Sequence, residues 1–285
     1  TVNPRYHHES FVPAKVEPAE VARRVLVVGS GPGGIKAALA VHDRGHEVTL
    51  VEKDGEVGGM LCTIAKEAHK EEAARLLEHY RAQLGKRDID VRLNTTATPE
   101  LVRDLNPDAL CIAIGATERR PPVPGIDGPN VLLGTEAIKH PEQVGQHVAI
   151  LGGGSIGCEL AIEFAEKGHK VTVIEVTDQL AANANKLYQE SLRQKFATNA
   201  ENIDALLGSA CKSVGERELS FVGPDGAEKS LMFDTLVVST GLASRGREVE
   251  SLYIIVRNTI SVGDCVRPSS IMNAVFEGYS FGLQV

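Results

Sequence analysis

Residues 25–34 read VLVVGSGPGG, and residues 148–157 read VAILGGGSIG. Each stretch runs from four apolar residues into a turn with glycines at its first, third and sixth positions. A short apolar run that ends at glycine predicts a buried parallel strand, and the residues after it have the spacing of a helix of about thirteen residues. Each stretch therefore predicts a strand that passes through a tight turn into a helix.

The two stretches belong to an internal repeat. Residues 25–52 align without gaps on residues 148–175, and ten of the 28 aligned pairs are identical. In each copy a Gly-His pair follows the helix, with Gly45 and Gly168 placed to end it in the left-handed conformation. A second strand then ends at a glutamate, Glu52 or Glu175. The repeat predicts two copies of one β-α-β unit and therefore an α/β fold with two Rossmann-like domains.

The glycine spacing is typical of a dinucleotide site. The first glycine permits the tight turn, the second lets the backbone approach a pyrophosphate, and the third permits close packing of helix on strand. The first helical turn supplies N–H groups and a partial positive charge to the anion. Glu52 and Glu175 would accept hydrogen bonds from a ribose diol. We therefore expect two dinucleotide sites.

The second glutamate also bears on the choice of cofactor. A carboxylate repels the 2′-phosphate that distinguishes NADPH from NADH, so Glu175 favours NADH. The alternative is that Glu175 faces solvent and has no influence on this choice.

Composition and charge exclude several classes of protein. A net charge of −8 argues against binding to nucleic acid or to an anionic membrane surface, and the apolar runs have the length of strands. Five scattered cysteines without a CxxC pair favour a soluble cytoplasmic protein with buried thiols and no metal site. His7 and His8 lie in a polar leader and predict no metal. Because the chain starts at Thr1 without a methionine, we expect a piece of a longer protein.

Outside the repeat, local patterns predict a helix over residues 70–84, strands over 109–114, 236–239 and 259–262, and a helix over 272–283. Residues 121–125, PPVPG, predict a linker.

Four short motifs in a fixed order support a family resemblance. They are Gly58-Gly59-Met60-Leu61, Ala113-Ile114-Gly115-Ala116, Ser239-Thr240-Gly241 and Val262-Gly263-Asp264. With the two glycine turns, they make the chain resemble the pyridine nucleotide–disulfide reductase superfamily, in which an NAD domain is inserted into a discontinuous FAD domain. The resemblance implies an N-terminal extension over residues 1–22, an FAD domain over 23–140 and 242–285, and an NAD(H) domain over 141–241.

A narrower resemblance is to the C-terminal half of the NADH:flavin oxidoreductases of the 2,4-dienoyl-CoA reductase and enoate reductase type. It is supported by Ile64-Ala65-Lys66, Gly263-Asp264-Cys265-Val266 and Glu277-Gly278-Tyr279. In that family an N-terminal barrel carries FMN and a four-iron cluster. The resemblance implies that this chain oxidises NADH and passes electrons through FAD toward the cluster and FMN, where an activated C=C bond is reduced.

The motif and the resemblance together name the candidate site residues. Those for FAD are Gly29, Gly31, Gly33, Gly34, Glu52, Lys53, Gly59, Met60, Ala97, Gly115, Gly263 and Asp264. Those for NADH are Gly152, Gly154, Ser155, Ile156, Gly157, Glu159, Glu175 and Gly241. No catalytic acid or base is expected, because hydride transfer from nicotinamide to flavin is chemistry of the cofactors.

Several of these residues have a second interpretation. Asp264, which the resemblance places on the ribityl chain, could be the N-cap of the following helix, and both roles can hold together. Glu159, which the resemblance places near the nicotinamide ribose, could instead lie on a solvated helix face. Cys158 and Cys265 are expected to be buried and inert.

Two other functions stay open at this point. The chain could hold an ADP-like nucleotide as a structural ligand without redox turnover. It could also be a stand-alone NADH:acceptor reductase that serves a separate partner.

Overall fold

A computed structural model describes residues 2–10, 12–13, 16–182 and 184–285, which form two units. The first unit contains the residues up to Thr117 together with Ala243–Val285. The second unit is Glu118–Leu242, so it is inserted into the first along the chain.

The first unit contains a five-stranded sheet in which all neighbouring strands are parallel. Its order is β15-β4-β1-β2-β3. The strands are β1 (Arg24–Val28), β2 (Glu47–Val51), β3 (Ile89–Arg92), β4 (Ala109–Ile112) and β15 (Thr259–Ser261). The helices are α1 (Pro32–Asp43), α2 (Met60–Ile64), α3 (Glu71–Gly85), α4 (Pro99–Leu105), α8 (Gly246–Tyr253) and α9 (Ile271–Gln284).

Helices cover both faces of this sheet. Val25 and Val27 of β1 pack with residues of α1, α3 and α9 in one buried cluster. Leu26 and Val28, the alternate residues of the same strand, pack with α4 and α8 in another. Because both faces are buried, the strand is continuously apolar, as predicted.

The second unit repeats the five-stranded parallel sheet, in the order β6-β13-β7-β8-β9. The strands are β6 (Val131–Leu133), β7 (His147–Leu151), β8 (Lys170–Ile174), β9 (Ile203–Leu206) and β13 (Thr235–Val238). The helices are α5 (Gly134–Lys139), α6 (Ser155–Glu166) and α7 (Lys186–Thr198).

One face of the second sheet is covered by a smaller sheet that the sequence patterns did not predict. Strands β10 (Ala210–Val214), β11 (Glu218–Val222) and β12 (Glu228–Met232) are antiparallel neighbours. Leu219 and Phe221 of β11 pack against Ala149 and Leu151 of β7, whereas the other face of β7 packs on the helices. A further two-stranded sheet pairs β5 (Ala116–Glu118) with β14 (Leu242–Ser244), where the chain crosses between units.

The predicted domain boundary at residues 140 and 141 was wrong. Residues 118–140 belong to the second unit because β6 pairs with β13, and the return lies after Leu242 rather than after 241. The predicted linker is likewise part of the second unit. The N–H of Val214 donates to the carbonyl of Pro124 (2.8 Å), and a Cβ at Gly125 would lie 1.8 Å from the Val214 oxygen.

The predicted extension over residues 1–22 is not separate from the first unit in its described part. Val12 is buried in a cluster with Ala40 of α1 and Tyr279 of α9. The ring of His8 lies 4.3 Å from that of Phe276, measured between centroids. Among the described residues, none of the helices combines the length and the apolar character needed to cross a bilayer.

Helices α1 and α9 pack at very short range. A Cβ placed on Gly278 would lie 2.0 Å from the carbonyl oxygen of Gly33, and one on Gly282 would lie 2.4 Å from the Ala40 Cβ. Glycine is thus required at these two positions of α9. This contact fixes α1, the helix that begins at the first glycine turn.

We expect Gly278→Ala to lower the free energy of unfolding by roughly 1–3 kcal/mol, because the added methyl group must push α9 away from α1. Urea unfolding followed by circular dichroism measures the change. The control is Gly246→Ala in α8, where an added Cβ meets no atom within 4 Å. Equal stability of the two variants would contradict the packing argument.

Candidate functional site: two glycine turns

The predicted residues of the first unit converge on one edge of its sheet. Gly29 follows β1, Glu52 follows β2, Gly115 comes shortly after β4, and Gly263 comes shortly after β15. These strands are parallel, so their carboxyl ends share an edge. The chain runs from β1 to β2 and β3 on one side and reaches β4 and β15 on the other. Ligands of open α/β sheets bind at such a reversal.

Steric contacts assign a role to each glycine of the first turn. A Cβ on Gly29 would lie 2.4 Å from the carbonyl oxygen of Ala113, and Gly29 has φ +95°. A Cβ on Gly34 would lie 1.9 Å from the oxygen of Gly29. A Cβ on Gly31, in contrast, would meet nothing within 4 Å. The first and third glycines are required by the fold, and the second faces open space where a ligand can approach.

Glu52 is buried beside this turn. One carboxylate oxygen accepts hydrogen bonds from the N–H and hydroxyl of Ser30 (2.8 and 2.6 Å). The other accepts the N–H of Asp54 (3.0 Å). These bonds fix the carboxylate at the carboxyl end of β2.

The loop of Gly58 and Gly59 folds over the same turn. The N–H of Gly58 donates to the carbonyl of Ser30 (2.9 Å), and a Cβ on Gly59 would lie 3.1 Å from the Cα of Gly31. Met60, the first residue of α2, is exposed. The loop and the turn therefore form one continuous backbone surface.

Asp264 lies in a short 3-10 turn, Gly263–Cys265, after β15. Its carboxylate accepts the N–H of Ser269 (2.9 Å). The interpretation of Asp264 as the N-cap of the last helix was wrong, because the Ser270 hydroxyl caps α9 by accepting from the N–H of Asn273. Sequence reasoning gave no role to the Glu277 carboxylate, which accepts the N–H of Gly263 (2.6 Å) from α9.

Three other residues predicted to bind FAD lie away from the open side of the first turn or make no contact with it that the structure shows. Gly33 faces α9, since a Cβ there would lie 3.0 Å from the carbonyl oxygen of Ala274. Ala97 is half-buried and packs beside the cluster that includes Val28 and Val51. Lys53 is exposed. Gly33 therefore serves the packing of α1 rather than an open surface.

The second unit reproduces the contacts of the three glycines in the first turn. A Cβ on Gly152 would lie 2.4 Å from the Ser239 oxygen, and one on Gly157 would lie 1.9 Å from the Gly152 oxygen. A Cβ on Gly154 would meet nothing within 4 Å. Gly154 has φ −65° and ψ −179°, against −67° and 177° at Gly31. Both turns thus leave the second glycine open.

Glu175 is the counterpart of Glu52 in the second unit, and both of its carboxylate oxygens also accept hydrogen bonds. It accepts the N–H of Gly153 (2.6 Å) on one oxygen and the N–H and hydroxyl of Thr177 (2.8 and 2.9 Å) on the other. It is 9% exposed. The interpretation that Glu175 faces solvent was therefore wrong.

The structural repeat is longer than the sequence repeat. At the same offset as the glycines, Ala181 corresponds to Gly58, and its N–H donates to the carbonyl of Gly153 (2.7 Å) as Gly58 does to Ser30. Both residues have positive φ, +132° at Gly58 and +50° at Ala181. Sequence identity between the two repeats could not show this match, because alanine replaces glycine.

The first turn of α6 carries the remaining predicted residues of the second unit. Ser155 is half-buried and Ile156 is exposed at the helix start. Glu159 is half-buried and accepts a hydrogen bond from the hydroxyl of Tyr188 in α7, so it is more than a solvated side chain. Gly241 has φ +96° and comes shortly after β13, as Gly115 comes after β4.

The cysteines near the turns are buried thiols, as expected. Burial raises the pKa of Cys158 to about 12, and its thiol donates to the carbonyl of Gly153 (3.3 Å). Burial also raises the pKa of Cys265, whose sulfur lies within hydrogen-bond distance of the carbonyl oxygens of Val262 (3.2 Å) and Ile112 (3.4 Å). Neither group ionises at neutral pH.

Both turns suit the diphosphate of a dinucleotide. Each has a helix N-terminus, an open second glycine and a buried glutamate one strand away. The sequence profile of the pyridine nucleotide-disulphide oxidoreductase family matches residues 23–278, nearly the whole chain. The chain belongs to this family. It is an oxidoreductase module of the kind that binds FAD and NAD(H), and the predicted fold class is confirmed.

Relatives support the narrower resemblance. The chain is 30% identical to an NADH oxidase of Thermoanaerobacter brockii over all of this chain and 44% of the relative. It is 30% identical to a bilirubin reductase of Mediterraneibacter gnavus over 93% of this chain and 41% of the relative. A solved structure of 2-naphthoyl-CoA reductase with 2-naphthoyl-CoA superposes with a TM-score of 0.93 and 28% identity, over all of this chain and 43% of that one. The chain spans less than half the length of each.

We expect the third and second glycines of the second turn to respond differently to the same substitution. Gly157→Ala should lower the melting temperature strongly, because its Cβ would overlap the Gly152 oxygen. Gly154→Ala should leave the melting temperature of the ligand-free protein nearly unchanged and weaken binding of NADH. Calorimetry measures both quantities. A Gly154→Ala protein that binds NADH normally would contradict the assignment of the open glycine.

Proposed function

We propose that the chain is the electron-input module of an ene-reductase-like flavoprotein. In this role it takes a hydride from NADH onto FAD and passes electrons toward an iron–sulfur cluster and FMN, which reduce an activated C=C bond. The observation that carries the proposal is the presence of two equivalent glycine turns, each with a buried glutamate, in one chain.

The loops around the turns support the assignment of one cofactor to each. The first turn is covered by Gly58 and Gly59 and shares its edge with Gly263 and Asp264. By resemblance these are FAD contacts, with Asp264 on the ribityl chain. The second turn, with Glu175, then binds NADH. Exposed Met60 and Lys53 and half-buried Ala97 complete the proposed FAD residues.

The chain's own residues act by binding and orientation. FAD, when bound, supplies the hydride-accepting and electron-transferring chemistry. The N–H groups at the starts of α1 and α6 would face the two diphosphates, and Glu52 and Glu175 would accept hydrogen bonds from the two riboses. Glu159 is proposed to lie near the nicotinamide ribose. No side chain has to give or take a proton for the hydride to move.

The length of the relatives supports the proposal that electrons pass from FAD to a further domain. Each of the three compared proteins is more than twice as long as the matched part. A barrel domain with FMN and a four-iron cluster, or an equivalent acceptor, is the proposed partner. A cytoplasmic location is proposed with it.

Anaerobic titration with NADH tests the first half of the proposal. Protein reconstituted with FAD should turn yellow, and its visible flavin absorption should bleach as NADH is added. Protein that does not bind added FAD would overturn the proposal. Protein that holds FAD or an ADP-like nucleotide without bleaching would favour the structural alternative. Bleaching followed by rapid transfer to a soluble ferredoxin-like acceptor would favour a stand-alone reductase.

We expect Glu175→Gln to weaken NADH binding and to reduce the preference for NADH over NADPH, because it removes the charge that repels the 2′-phosphate. The ratio of the two dissociation constants is the measurement. Glu52→Gln is the matched control, since Glu52 is also buried and its carboxylate likewise accepts two backbone N–H groups and one hydroxyl. It should weaken FAD binding and leave the NADH/NADPH ratio unchanged. An unchanged ratio in Glu175→Gln would contradict the role of Glu175.

A further inference from the structure

The carbonyl group after the first glycine is anchored in both turns. The Ser30 carbonyl accepts the N–H of Gly58, and the Gly153 carbonyl accepts the N–H of Ala181. In the second turn the Cys158 thiol also donates to the Gly153 carbonyl. In addition, the N–H of Gly153 donates to Glu175, so Gly153 is held on both sides.

This anchor determines the direction of the next N–H group. The Gly153 carbonyl and the Gly154 N–H belong to one peptide unit, which is planar and trans, as are all peptide bonds among the described residues. In such a unit the C=O and N–H bonds point in opposite directions. Because the carbonyl points at Ala181, the Gly154 N–H points away from it. Gly154 is the glycine whose Cβ side is open.

The segment that carries Ala181 follows the glutamate of β8. We name residues 176–182 and 184–185 the strap. Within it, Ala181 is 1% exposed, and the side chain of Leu180 would lie 2.7 Å from a Cβ on Gly153. The strap therefore lies directly on the glycine turn.

Ala181 needs external support to keep its conformation. Its φ of +50° is unfavourable for a residue with a Cβ, whereas Gly58 in the first unit adopts a positive φ without that penalty. A strained backbone persists only where surrounding contacts hold it. The second unit must supply such contacts where the first needs none.

Gln189 supplies such contacts, beside the N–H of Ala184, which donates to the same Ala181 carbonyl (2.8 Å). Its side-chain nitrogen lies 3.0 Å from the carbonyl oxygen of Ala181, 3.3 Å from that of Ala182 and 3.1 Å from that of Ala184, so its two N–H groups serve three acceptors. Gln189 lies in the first turn of α7, whose start is fixed by Asn185 through the N–H of Tyr188 (2.9 Å).

We propose that Gln189 is a positioning residue for the pyridine nucleotide. It holds the strap, the strap holds the Gly153 carbonyl, and the peptide unit then directs the Gly154 N–H at the pyrophosphate. This inference rests on the proposed function, in which the second turn binds NADH. Gln189 itself touches no part of the nucleotide in this scheme.

The test uses Gln189→Glu, which keeps the length of the side chain and removes its N–H donors. The probe is ADP-ribose, which carries the pyrophosphate and adenosine but no nicotinamide, and binding is measured by calorimetry on the full chain. We expect ADP-ribose and NADH to bind about tenfold more weakly, as loss of partly buried hydrogen bonds predicts. Adenosine, which has no phosphate, should bind the variant as tightly as it binds the wild type. FAD binding should also be unchanged.

Gln194→Glu is the matched control. It makes the same change in the same helix, at an exposed residue whose side-chain amide donates to Glu190. ADP-ribose binding should equal that of the wild type. Gln189→Lys is a rescue variant, because the ammonium group donates again to the carbonyls, and its affinity should recover toward the wild-type value.

The outcomes separate the two levels of the argument. A wild-type chain that binds neither ADP-ribose nor NADH would overturn the proposed function. Normal ADP-ribose binding by Gln189→Glu would overturn only the role of Gln189. Equal weakening of adenosine and ADP-ribose would show that the strap supports the whole site without directing the N–H group, and this would also overturn the inference. If Gln189→Glu folds poorly, the test uses Gln189→Lys alone. A Gln189→Lys protein that folds but binds ADP-ribose about tenfold more weakly than the wild type would overturn the inference.

Discussion

The contact between the first and third glycines of each turn is the constraint on which both units depend. The carbonyl oxygen of the first glycine occupies the place where the third would carry a Cβ, at 1.9 Å in each unit. The helix can therefore start directly against the end of its strand. Its N-terminus then opens onto the edge where the neighbouring parallel strands also end. The glutamates and the loop glycines reach the same edge because the strands are parallel and adjacent.

Much of this arrangement is visible in the sequence, because the interactions that produce it are local. The apolar runs, the glycine spacing and the glutamate at the end of the second strand lie within one β-α-β unit and predict it. The burial of Glu175 follows from its match to Glu52. The boundary near residue 118 could not be predicted, because it depends on the pairing of β6 with β13, about a hundred residues apart. The antiparallel sheet over β7 was missed because its strands are half exposed and lack a strong pattern.

The positioning contacts were harder to predict for a different reason. Ala181 performs the backbone task of Gly58 but differs from it in identity, so an alignment of letters shows nothing there. Gln189 is a polar residue in a polar helix, which usually indicates a solvated surface. Only the hydrogen bonds reveal that its amide faces the strap. Two copies of one backbone design thus use different side chains to reach the same geometry.

The cysteines set a limit on how electrons can leave this chain. The family takes its name from disulphide chemistry, which requires a thiolate to attack or to be released. Burial raises the pKa of all five thiols here, Cys62, Cys111, Cys158, Cys211 and Cys265, and all five are unpaired with one another. In the proposed function, the two electrons of a hydride taken from NADH would therefore leave from FAD itself and not through a thiol–disulfide pair of these residues.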